Sequence, residues 1–68
     1  MTKDQQIAFV QTQIDALKTE RWCQDSNAKA LSRANLPERA EAVAKTSAET
    51  DRLIAAFEEQ LSELNTPV

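Results

Sequence analysis

Cys23 is the one strong nucleophile in this chain, and its sequence surroundings give it nothing to react with. A thiol attacks as the thiolate, which needs a neighbouring base or a firmly cationic setting. The chain has no histidine, and Arg21, two residues away, is too little to activate Cys23. Cys23 therefore reads as a small packing residue, or as half of an intermolecular disulfide once the protein is oxidised in vitro. A lone thiol without histidine also falls short of a zinc site. The carboxylates are the other chemistry-bearing set: 11 acidic residues against 8 basic ones, for a net charge of −3. General acid–base catalysis needs such groups held in a pocket that tunes their pKa values. Here they are strewn at the spacing of solvated helix faces. With no glycine, there is no phosphate-cradling loop either. The chain is expected to be no enzyme and to hold no cofactor or metal.

The acids are unevenly placed. Outside residues 18–52, Lys3 stands against Asp4, Asp15, Glu58, Glu59 and Glu63, a net of −4, whereas 18–52 carries seven basic and six acidic groups. Glu58, Glu59 and Glu63 are thus candidates for an electrostatic docking patch on a basic partner, although a solvated acidic face is the commoner meaning of such a cluster. Phosphate binding asks for a positive stripe, and the basic residues are instead interleaved with acids. Nucleic acid is a disfavoured partner, with Lys29, Arg33, Arg39 and Lys45 the best case for it.

These side chains must be positioned by helices. Ala, Glu, Gln, Leu, Lys and Arg dominate, no period-two run appears, and the two prolines stand at positions 37 and 67. The fold class is all-α. Two apolar seams step by alternating threes and fours, the spacing of one helix face. The first is Ile7, Val10, Ile14, Leu17, Arg21, Gln24, Ala28, Leu31; the second is Leu36, Ala40, Val43, Ser47, Thr50, Ile54, Phe57, Leu61, Leu64. Paired so that residue numbers sum to 71, like meets like: Ile7 with Leu64, Val10 with Leu61, Ile14 with Phe57, Leu17 with Ile54. The polar residues Arg21 and Gln24 fall opposite Thr50 and Ser47. That pattern predicts an antiparallel helical hairpin in one domain: helix 1 over about 3–33, a turn at 34–36, and helix 2 over about 37–64. Each helix would be about 40 Å long.

Thr2 and Gln5 form a capping-box pattern at the start of helix 1, and Pro37 suits the first position of helix 2. The triplet Asp25-Ser26-Asn27 consists of poor helix formers, so a break there is the alternative to one continuous helix. The unbroken heptad phase argues against it. Lys18 and Asp51 are expected to pair across the seam edge. The mid-seam polar layer reads as a register lock, with Arg21 sending its head to water or to Asp25.

What the seam leaves over is the best clue to function. Phe9, Ala16, Cys23 and Ala30 recur every seven residues on another face of helix 1, with Trp22 beside them. Helix 2 offers Ala42, Ala44, Ala48, Ala55 and Ala56, with Leu53 nearby. Aligned apolar stripes with Trp and Phe mark interfaces. A domain this small is marginal without a stabiliser, and disulfide and metal are excluded. The expected contact residues are Phe9, Ala16, Trp22, Cys23, Ala30, Ala48, Leu53 and Ala55. They would serve a homodimeric four-helix bundle, or dock on another protein through Trp22.

The expected role is a small protein-binding regulator or inhibitor, by analogy of size with such proteins from phages and mobile elements. The chain is similar in length and inferred architecture, but in no motif, to dimeric helical hairpins of the Rop type, from plasmid copy-number control. That likeness implies binding to paired RNA loops as the alternative. A structural or assembly subunit is a third reading. The start resembles no signal peptide and no apolar run reaches transmembrane length, so a cytoplasmic location and no membrane partner are expected.

Overall fold

The computed structural model describes residues 1–67 and contains two α-helices, α1 (Lys3–Arg33) and α2 (Pro37–Asn65), joined by a tight turn and packed against each other. Thr2 opens α1 through the expected reciprocal cap. Its Oγ1 accepts from the Gln5 backbone N–H at 3.2 Å, while its own N–H donates to Gln5 Oε1 at 2.9 Å. Both bonds satisfy donors that the first helical turn leaves free. Helix α1 then continues through Asp25-Ser26-Asn27 without interruption. The seam residues on either side of the triplet stay in phase, so packing outweighs the weak propensity of three residues.

The turn holds a feature that proline and charge alone do not announce. Asn35 takes φ 61°, in the left-handed region. Its N–H donates to the Ser32 carbonyl at 3.1 Å and that of Leu36 donates to the Leu31 carbonyl at 2.9 Å. This pair of bonds closes a helix in a Schellman motif, where glycine is the usual residue and asparagine the best substitute. Leu36, one residue on, sits at φ −118° and ψ 64°, out of helical geometry as its place before Pro37 requires. Its carbonyl accepts from Ala40 and begins α2.

Burial follows the two seams. Val10, Ile14, Ala40 and Ile54 are buried, together with the polar Ser47 and Thr50. Ile7, Leu17, Arg21, Gln24, Ala28, Leu31, Val43, Phe57, Leu61 and Leu64 are half-buried. Leu36, at the turn, is the one seam residue left exposed. The resulting rod measures 53 × 14 × 13 Å and has a radius of gyration of 15.6 Å, against about 11 Å for a compact chain of this length. Two helices have only one shared face, and the thinness of the rod is the result. Among the described residues no side chain is completely buried. No helix of the described residues is long and apolar enough to cross a membrane.

Candidate interaction surfaces

The mid-seam polar layer is bridged from one helix to the other. Arg21 Nε donates to Asp51 Oδ1 at 2.9 Å, and its Nη1 lies 3.8 Å from Asp25 Oδ1 on its own helix. Lys29 Nζ adds a contact to the second Asp25 oxygen at 3.7 Å. Asp51 was expected to face Lys18, and the structure corrects this. Arg21 lies within the seam, one turn beyond Lys18, and its Nε reaches the carboxylate directly. Lys18 instead opens onto a groove with Asp15 and Glu58. Thr50 turns its hydroxyl back to the Thr46 carbonyl at 3.1 Å, so its burial costs no unmet hydrogen bond. Gln24 is different: its Oε1 is buried without a partner.

Two grooves run along opposite sides of the hairpin, and they sort the remaining residues. Gln6, Phe9 and Val10 line one of them together with Phe57, Gln60 and Glu63. Asp15 and Lys18 line the other, with Glu58 and Ser62. Because the seam keeps a seven-residue repeat along its whole length, each residue seven away from a groove residue lies on the same side. Ala16, Cys23 and Ala30 therefore continue the Phe9 flank, as do Leu53 (from Gln60) and Ala42 and Ala56 (from Glu63). Trp22 continues from Asp15, and Ala48 and Ala55 from Ser62, on the opposite flank. Near the turn that second flank carries Lys29, Ser32, Glu41 and Ala44.

The two flanks differ in character. Every ion pair among the described residues, Arg21–Asp51, Arg21–Asp25 and Lys29–Asp25, lies toward the Trp22 flank. The Phe9 flank carries Phe9 at 52% and Leu53 at 47% exposure, with the exposed Cys23 beyond Leu53 toward the turn. Trp22 is 71% exposed. The eight expected contact residues are thus all at the surface, but not on one face. Phe9, Ala16, Cys23, Ala30 and Leu53 come together, whereas Trp22, Ala48 and Ala55 do not join them.

The acidic end is likewise distributed around the rod. Glu58 faces the Trp22 flank and Glu63 the Phe9 flank, while Glu59 points away from the seam between them. No group of His, Cys, Asp or Glu among the described residues is arranged to hold a metal ion. Sequence periodicity alone marks the exposed apolar positions. Which side of α2 joins each of them needs the relative placement of the helices, which fixes the side of each groove. Compared with known proteins, the chain matches no family model, no curated protein and no solved structure.

Proposed function

We propose that this chain is a non-catalytic protein-interaction module, a helical hairpin that self-associates through one flank and occupies another protein's surface through the other. The observation that carries this reading is the exposure of Phe9, Leu53 and Trp22 on a hairpin without one completely buried side chain among the described residues. A folded chain of this mass exposes about 4,300 Å² when compact, whereas this rod exposes 5,211 Å². The excess of about 900 Å² is close to the roughly 800 Å² that one partner contributes to a standard interface. Trp22, on the charged flank, is the type of residue that anchors interfaces. Regulation or inhibition of a partner is the role that fits a chain whose exposed features are contact surfaces.

Two measurements test this. Sedimentation at micromolar concentration should give a dimer. Affinity capture with the tagged chain should retain a stoichiometric protein after nuclease treatment and lose it with Trp22→Ala. A monomer that captures only nuclease-sensitive RNA would replace this reading with an RNA-binding one.

A further inference from the structure

We infer that two hairpins join through their Phe9 flanks with their turns at opposite ends, α1 lying antiparallel on α1 of the second copy in one definite register. The inference rests on the self-association proposed above and adds its geometry. Two hairpins stacked flank to flank around a twofold axis have two choices. Either both turns lie at one end, with α1 across from α2 of the second copy, or the turns lie at opposite ends, with like helices face to face.

Charge separates the two. On the Phe9 flank itself Glu63 stands at the open end and Arg39, three heptads before Gln60, at the turn end. Turns at one end would set Glu63 level with Glu63 and Arg39 level with Arg39. Turns at opposite ends set each Glu63 beside the Arg39 of the second copy. A face that is complementary to its own reversed image is what a second copy requires and an unrelated partner does not. The Trp22 flank is the poorer choice for this contact, because it would bury the carboxylates that hold Arg21 and Lys29.

The heptad stripe fixes the register. If facing α1 residues have numbers that sum to 39, Phe9 meets Ala30 and Ala16 meets Cys23, each pair occurring twice. Every member of the stripe then has a partner, with the largest side chain on a small one. A shift of the sum to 32 leaves Ala30 opposite Thr2, and a shift to 46 leaves Phe9 opposite a residue beyond the end of α1. The twofold axis falls between residues 19 and 20, near the middle of the rod. The hairpin pairing carries the same axis to α2 between residues 51 and 52, where Arg39 of one copy comes within one residue of Glu63 of the other. Both lie on the Phe9 flank by the seven-residue repeat, so the end-to-end attraction has named partners. The cost of this register is Glu20, which lies beside its own symmetry mate.

Ala16→Cys in the chain that keeps Cys23 tests the geometry, since both positions are exposed. Seven residues apart on one helix are about 10 Å, too far for an internal bridge. Treated with diamide, this variant should be consumed as a covalent dimer, with peptide mapping showing position 16 joined to position 23. The native chain, and Ala16→Cys combined with Cys23→Ser, should each form several-fold less covalent dimer, because identical cysteines would stand about 10 Å out of step. A monomer by sedimentation would overturn both the self-association and this geometry. A dimer whose two-cysteine variant links no better than the single-cysteine chains would overturn the geometry alone.

Discussion

Arg21 joins the two helices at mid-rod, its Nε–H donating to Asp51 Oδ1 at 2.9 Å while Asp25 lies 3.8 Å away on the same helix. Both partners keep a good share of their surface in water, so the pair is worth less than about 1 kcal/mol. Its larger effect is on which register forms, since a slipped hairpin leaves a guanidinium facing apolar side chains. A double-mutant cycle with Arg21→Ala and Asp51→Ala, followed by urea unfolding, should return a coupling below about 1 kcal/mol. Coupling well above that would mean the pair is a principal stabiliser of the hairpin.

Gln24 should behave in the opposite sense to most core polar residues. Its buried Oε1 has no hydrogen-bond partner. Removing an unmet polar atom recovers about 1–3 kcal/mol of desolvation. Gln24→Leu is therefore expected to raise the urea midpoint, at some loss of register specificity. A lowered midpoint would show that the amide is satisfied in solution.

The turn gives a cleaner backbone test. Asn35 holds φ 61°, a region that costs a β-branched residue about 1–2 kcal/mol. Asn35→Val should lower the thermal midpoint by that free energy, and Asn35→Gly should leave it equal or higher. Equal midpoints for Val and Gly would remove the left-handed cap from the account.

Ile14 is among the most buried residues of the seam. Ile14→Ala should cost about 2–4 kcal/mol, enough to leave so small a domain partly unfolded by circular dichroism at room temperature. Trp22→Ala, by contrast, should leave hairpin stability within about 0.5 kcal/mol and leave the sedimentation profile unchanged, because Trp22 lies on the flank away from Phe9. A collapse of the dimer on that substitution would put Trp22 inside the self-association interface.

Glu20 tests the twofold axis from another direction. Removing a like-charge contact across the axis should tighten the dimer, so Glu20→Gln is expected to lower its dissociation constant several-fold, an effect that shrinks with added salt. A weaker dimer would place Glu20 opposite a cation and overturn the opposed-turn arrangement.

Much of this architecture is legible residue by residue. The alternating threes and fours name the seam residues that the helices bury or half-bury, with Leu36 the exception at the turn, because a seven-residue repeat is a local property of a helix. The Thr2–Gln5 cap is equally local. The Asp25-Ser26-Asn27 triplet shows the limit of local reasoning: its propensities point to a break, and the seam on either side overrides them. Lys18 shows another. The pairing sets Asp51 level with Glu20, one residue from Arg21 and two from Lys18, and Arg21 in the seam takes the carboxylate. Asn35 carries a usable signal, an asparagine two residues before proline at a helix end, and the proline draws attention from it.

The sequence by itself determined that the chain makes two helices, which face of each is buried, and that Phe9, Trp22, Cys23 and Leu53 remain outside the seam. These follow from periodicity, from the absence of glycine, and from a proline at position 37 with no other inside either seam. Only the tertiary structure decided which side of α1 joins which side of α2, so that Phe9 and Leu53 share one flank and the ion pairs lie toward the other. A residue's place on its own helix says how far it is from the seam. Which residues of the other helix stand beside it depends on how the two seams meet.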